Sequence, residues 1–256
     1  MTYRSLMVHF DSSTEASARL QLAVGLANRF DAALIGIAGP PYLSAAEGGI
    51  DDALVAIEKE FRASTCPVKN VEWRGQPVWS SVLIPQEARA ADLIVIGPGP
   101  GRWDFADSQD PGVTILLVGR PVLFVPRNIH LLDARRIVVA WKDTREARRA
   151  VRDALPFLRN AERVEIAEVN EQSLRVPGPS DDVADYLIRH GVVVGTKAYL
   201  KVEGPVANEI IRFAQEAKAD LIVAGGYGYS RLGEWAFGGV TRGLLASTPV
   251  CCLFSH

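Results

Sequence analysis

Ala88–Gly97 reads ARAADLIVIG, and Glu216–Gly225 reads EAKADLIVAG. One stretch is a copy of the other, and this decides the fold. Each runs on to a Pro-Val pair that opens another apolar strand, Pro121-Val122 in PVLFVP and Pro249-Val250 in PVCCLF. Both landmarks are separated by the same distance, and Pro77-Val78 and Pro205-Val206 upstream keep it too. At the two beginnings, SLMVHFDSSTEASARLQLAVGLA matches RIVVAWKDTREARRAVRDALPFL at a slightly different offset, which places a small insertion or deletion inside the repeat. Register held over so many landmarks makes the chain a tandem duplication.

Within each copy short β-rich apolar runs alternate with helical periodicity. In the second copy the strands are expected at 136–141, 162–169, 192–202, 220–224 and 250–254. Thr144 and Glu146 open one helix, 181–190 forms another, Pro205 starts a third, and the last spans roughly 239–246. The first copy repeats the scheme through 5–10, 33–38, 68–74, 92–96 and 121–125. Alternating βα units imply an α/β fold, here two Rossmann-like five-stranded, mainly parallel sheets in tandem. The expected domains are 1–126 and 136–256, joined by the linker PRNIHLLDAR.

Composition sets the outer limits. Hydrophobic residues make up 48% and charged residues 23% of the 256 residues, as in globular chains. A net charge of -2 with acids and bases interspersed argues against nucleic acid as partner, since phosphate-backbone affinity needs clustered Lys and Arg. The N-terminal MTYRSLMVHFDSS is too soon interrupted for a secretory signal, and no run approaches the roughly 20 apolar residues of a membrane helix. Cys66, Cys251 and Cys252 show no zinc spacing and are expected as small buried residues in a reducing, cytoplasmic setting. The histidines at 9, 130, 190 and 256 are scattered, and His9 at a strand end is expected to be a satisfied, partly buried residue. Ser12 and Ser13 read as turn or cap residues, because no nucleophile elbow surrounds them. No acid/base pair or activated nucleophile stands out.

One segment carries chemistry. After the fourth strand the second copy reads Gly225-Gly226-Tyr227-Gly228, and Gly238-Gly239 opens the next helix beyond nine intervening residues. In an open parallel sheet ligands bind beyond the carboxyl ends of the strands, where strand order reverses. Glycines there let the backbone approach a pyrophosphate, and helix N-terminal amides meet its charge. Thr241 offers a hydroxyl, and Arg231 or Arg242 a positive charge. Trp141 and Trp235 are candidates either for stacking on a base or for plain packing.

This pattern resembles the universal stress protein family, whose phosphate loop runs Gly-x2-Gly-x9-Gly-(Ser/Thr). The resemblance covers essentially the whole chain as a tandem pair. It implies an adenine nucleotide, ATP or else AMP or ADP, with magnesium, held in the second domain. By position the nucleotide-binding residues would be Ala140, Trp141, Lys142, Val169, Ala224, Gly225, Gly228, Gly238, Gly239, Val240 and Thr241. Gly239 stands where the family's binders have Ser or Thr, and Lys142 stands where the first strand usually ends in Asp, with Asp143 next. The first copy keeps Asp11 and Gly97, but Pro100, Asp110 and Pro111 replace the other loop positions. Proline lacks an amide hydrogen and Asp110 would set a carboxylate against phosphate, so the first copy is read as a scaffold. GRWDFADSQDPG around these positions reads as a surface loop.

The resemblance further implies an internal pseudo-dimer, with homodimerisation as an additional option, and a regulatory role in stress response. At most it implies slow ATP hydrolysis. The alternative is a protein-interaction module without nucleotide. An adenylyltransferase would need a His-x-x-His or HIGH-like motif, and the sequence has neither.

Overall fold

A computed structural model describes residues 2–11, 13–39, 49–98, 110–169, 179–200, 204–228 and 239–256. The chain divides into two compact units, Thr2–Leu132 and Asp133–His256. The first unit runs β1 (Ser5–His9), α1 (Thr14–Phe30), β2 (Ala33–Ala38), α2 (Gly49–Ser64), β3 (Val71–Gly75), α3 (Ser80–Glu87), a 3-10 turn at Ala88–Ala90, β4 (Leu93–Ile96), α4 (Pro111–Leu117) and β5 (Val122–Phe124). The second runs β6 (Arg136–Trp141), α5 (Arg145–Asp153), α6 (Leu155–Leu158), β7 (Arg163–Val169), α7 (Pro179–Arg189), β8 (Val194–Leu200), α8 (Val206–Glu216), β9 (Leu221–Gly225), α9 (Gly239–Ser247) and β10 (Cys251–Ser255). Every strand expected from sequence is present, with ends shifted by a few residues.

Both units build the same sheet. In the first, β1 pairs with β2 and β4, β2 with β3, and β4 with β5, all parallel. In the second, β6 pairs with β7 and β9, β7 with β8, and β9 with β10, again all parallel. Helices cover such sheets on both faces, so the inner strands are apolar throughout rather than alternating. Leu6, Met7 and Val8 in β1 and Leu221, Ile222 and Val223 in β9 are all fully buried.

The aspartate inside each ADLIV repeat has a structural task. Asp92 Oδ2 accepts from the backbone N–H of Arg4 at 2.7 Å and of Ser5 at 3.1 Å, and so pins the start of β1 to the start of β4. Asp220 does the same for β6, accepting from Arg135 and Arg136, each at 3.2 Å. Hydrogen bonds to a charged acceptor contribute about 1.5–3 kcal/mol each where shielded, less at these exposed ends.

The helices after β1 and β6 begin alike and then diverge. Ser13 caps α1 by accepting from Ala16 N, and Thr144 caps α5 by accepting from Ala147 N. α1 continues unbroken to Asp31, whose φ of 50° closes it in the left-handed region. The second copy breaks at Ala154 instead, and Pro156 sits in the short α6. Proline has no amide hydrogen to carry the ladder of α5 onward. One cysteine expectation needs correcting: Cys251 and Cys252 are buried, but Cys66 is exposed at the end of α2. Its Sγ lies near the carbonyls of Arg62 and Ala63, and no apolar pocket surrounds it. Burial pushes the Cys252 thiol up to about 12, which makes it inert as a nucleophile.

Candidate functional site

In each unit the chain leaves the first strand toward one edge and later crosses to the other edge. The strand order therefore reverses between β1 and β4, and between β6 and β9. The carboxyl ends of these pairs form the crevice where α/β folds take ligands.

In the second unit Ala140 of β6 and Ala224 of β9 are register partners at the floor of this crevice. Gly225 follows, and the first turn of α5 lies directly against it. A Cβ at Gly225 would stand 2.7 Å from Ala147 N and 2.9 Å from the carbonyl carbon of Glu146. Only glycine lets β9 and α5 approach this closely. A Cβ at Gly228 would meet Glu146 Oε2 at 3.0 Å and Thr144 Oγ1 at 3.2 Å. Tyr227, between the glycines, has φ 52°. Its amide donates to Thr241 Oγ1 at 3.1 Å, which ties the glycine turn to the first turn of α9. The turn thus sits between the N-termini of α5 and α9, both carrying the positive end of a helix dipole.

Among the expected site residues, Ala140, Ala224, Gly225, Gly228 and Thr241 lie in this crevice. Gly239 and Val240 open α9 beside them. Lys142 is exposed beyond the end of β6, and Asp143 is held by Arg148 at 2.6 Å. Trp141 is only 4% exposed, so its ring packs inside the unit. Val169 ends β7. Its side chain, and all of Ser12, Pro100, Arg231, Trp235, Gly238 and the loop 101–109, lie outside the described residues.

Glu146 was not expected in the site, yet it lies beneath the turn. It is buried in the first turn of α5, where a carboxylate is favoured by the helix dipole. Burial opposes its ionisation. Arg145, its own backbone amide and Thr144 outweigh that, and hold the carboxyl below its usual range.

The first unit fills the same space differently. Arg19 of α1, 2% exposed, donates from Nε to the carbonyl of His9 at 2.8 Å and lies 3.5 Å from Asp11 Oδ2. Its guanidinium occupies the position a Cβ on Gly97 would need. The corresponding residue in the second unit is Ala150, also buried. Asp11 also accepts from the Ser13 amide at 2.9 Å and from the Ser13 hydroxyl. Burial works against its charge, but His9, Arg19 and Ser13 together keep the Asp11 carboxyl below its ordinary range. Asp110 caps α4, accepting from Gly112 N at 2.7 Å. Asp11 and the Gly112 amide at the start of α4 are thus both engaged inside the unit.

His9 completes this closure. Its Nε2 is hydrogen-bonded to Ser80 Oγ at 3.0 Å, and Ser80 Oγ accepts from Gly39 N at 3.2 Å. Burial lowers the imidazole from its ordinary 6.5 to about 4, Asp11 opposing and Arg19 assisting. Between these values the unfolded chain binds a proton that the native chain refuses. The stability that neutral His9 gives is therefore full above pH 6.5 and is lost as pH falls toward 4. The expected loss from this residue is about 2 kcal/mol at pH 5. Denaturant titrations at pH 7 and pH 5 should show this drop in the wild type and a flatter profile in His9→Gln. Equal slopes would assign the pH dependence elsewhere.

The fold defines a tandem α/β protein with a strand-end crevice in each unit, the first of them filled by the unit's own side chains. Residues 134–255 match the profile of the universal stress protein family. The whole chain has the fold of a universal stress protein from Archaeoglobus fulgidus, with TM-score 0.75 and 16% identity over 97% of this chain and 94% of that one. It is also similar to a putative universal stress protein from Pseudomonas aeruginosa, with TM-score 0.60 and 15% identity over 98% and 92% of the two chains. No curated protein matches the chain by sequence. The match to that family thus spans the second unit, and the likeness of the whole chain to these structures is one of fold.

Proposed function

We propose that the second unit binds an adenine nucleotide, ATP or else AMP or ADP, and that the protein acts as a cytoplasmic regulator in stress response. The observation carrying this reading is the Gly225–Gly228 turn, held between the N-termini of α5 and α9 with main-chain contact at Gly225. Backbone amides and dipole ends converge there, as an anionic phosphate chain requires. Gly225, Gly228 and the start of α9 would hold the phosphates, and Ala140 and Ala224 would line the crevice beneath. Among the described residues no group of three His, Cys, Asp or Glu side chains is placed to hold a metal ion. Magnesium would therefore arrive on the phosphates. The role we infer is that of a binding protein with at most slow hydrolysis.

A second reading, an interaction module without nucleotide, draws on the engaged Thr241 hydroxyl and on the Asp143–Arg148 pair. Calorimetric titration with ATP, ADP and AMP, with and without magnesium, separates the two. No binding at millimolar nucleotide would end the first reading. Where binding occurs, Gly228→Pro copies Pro100 of the first unit and should abolish it. Gly239→Ser should strengthen it several-fold, since a Cβ there meets nothing within 4 Å and the hydroxyl adds one phosphate contact.

A further inference from the structure

One peptide group of the second unit's glycine turn is gripped from both sides. Gly226 N donates to Ser255 O at 2.8 Å, which carries the ladder between β9 and β10 one residue further. Next along the chain, His256 Nδ1 lies 3.0 Å from Gly226 O. A carbonyl oxygen only accepts, so this ring nitrogen carries a proton and donates it. The Tyr227 amide belongs to the same peptide group and donates to Thr241 Oγ1 at 3.1 Å. In a trans peptide the carbonyl and the amide point opposite ways, so His256 fixes one edge of the plane and Thr241 the other. Tyr227 itself sits at φ 52°, a left-handed conformation that a residue with a Cβ keeps only where its surroundings enforce it.

The end of β10 is itself anchored, so the imidazole is held in place. Ser255 Oγ donates to Asp153 of α5 at 2.9 Å. Arg149, one turn earlier on that helix, donates from Nη1 to the His256 main-chain oxygen at 2.8 Å. The first unit differs at each of these points. Phe124 of β5 pairs with Ile96 as Phe254 of β10 pairs with Ala224, so two residues on, Pro126 stands where His256 does. Proline brings no side-chain donor, and α1 has Ala18 and Leu22 in place of Arg149 and Asp153. The whole anchoring set is thus confined to the unit that keeps the glycine turn.

We propose that His256 is a positioning residue for the phosphates of the second unit's nucleotide, and that its protonation tightens the hold on them. This rests on the nucleotide reading and adds a regulation of the same site. Neutral imidazole has one N–H, which must sit on Nδ1 for the grip on Gly226 to close. The imidazolium carries an N–H on both nitrogens, so it always donates there, and its bond is the stronger for being charge-assisted. It also adds a positive charge beside a turn that receives an anion. Around it α5 contributes Arg149, Asp153 and Glu146, the start of α9 Arg242, and the turn Tyr227. Carboxylates, guanidinium groups and phenols keep one charge state between pH 6 and 8, whereas histidine changes its own there.

The test is ATP binding to the full chain by calorimetry at pH 8 and pH 6, for the wild type, His256→Ala and His256→Asn. Alanine removes the donor, and the asparagine amide donates at either pH. His256 is half-buried at the end of its strand, so all three proteins should fold, which melting curves check. At pH 8 His256→Ala should bind about 10-fold more weakly than the wild type, and His256→Asn within about 3-fold of it. From pH 8 to pH 6 the affinity of the wild type relative to His256→Asn should rise about 3- to 10-fold, a ratio from which the titration of ATP itself cancels. In the free wild type at pH 8, nitrogen-15 spectra should place the proton of the neutral His256 ring on Nδ1. Equal binding by wild type and His256→Ala, a ratio that does not move with pH, or a ring protonated on Nε2 would overturn the role of His256 and leave the nucleotide reading standing. A wild type that binds no ATP at either pH would overturn both.

Discussion

Asp11→Ala is expected to destabilise the first unit by about 3 kcal/mol, although it deletes a residue that in a nucleotide-binding copy would face the ligand. The reason is Arg19, which α1 carries into the interior at 2% exposure with Asp11 as its counter-charge. Removing the acid strands a buried guanidinium whose Nε keeps the His9 carbonyl but whose charge has lost its counter-ion. Breaking such a pair from one side costs about 3–5 kcal/mol, and the quarter exposure of Asp11 puts this case at the lower end. The double variant Asp11→Ala/Arg19→Met removes both charges and should regain most of the loss. Urea unfolding followed by a probe of each unit reads the effect. A change below about 1 kcal/mol in Asp11→Ala would show that Arg19 does not depend on this partner.

Gly225→Ala carries the second large effect, about 1–3 kcal/mol or more, together with loss of any nucleotide binding. A single methyl is enough because the atoms it meets, Ala147 N at 2.7 Å and the Glu146 carbonyl carbon at 2.9 Å, are main chain. They cannot rotate away as a side chain would, so β9 and α5 must separate. Gly239→Ala is the matched control in the same loop system. Nothing lies within 4 Å of its added methyl, so the stability of this variant should stay close to that of the wild type. If the two variants behave alike, close packing is not what Gly225 is for.

Much of this was legible in the sequence, for reasons that can be named. The repeated ADLIV motif placed β4 and β9, because a buried parallel strand needs an unbroken apolar run and little else looks like one. The glycine spacing located the turn beside α9, since close approach leaves glycine as the residue that fits. The closure of the first crevice was only half visible. Pro100 and Asp110 announce a damaged loop, and the other half of the signal is periodic: Arg19 stands on the stripe of α1 formed by Ala16, Leu20, Ala23 and Ala27, where a charged residue must find a buried partner. Glu146 was less accessible. A glutamate near a helix start reads as solvated until the strand packed against that helix is known. The motif aspartates gave no sign of their task either, because the amides they hold are far away along the chain.

That last separation bears on how each unit assembles. Asp92 holds the amide of Arg4 across 88 positions of chain, and Asp220 reaches back 85 to Arg135. The two strands flanking each crevice are thus joined by contacts of long sequence range. Closing a loop of that length costs entropy before any contact repays it, and topologies of this kind fold slowly. The second unit's crevice therefore exists only where its central pair has met, and whatever binds there recognises a unit in which that long closure is complete.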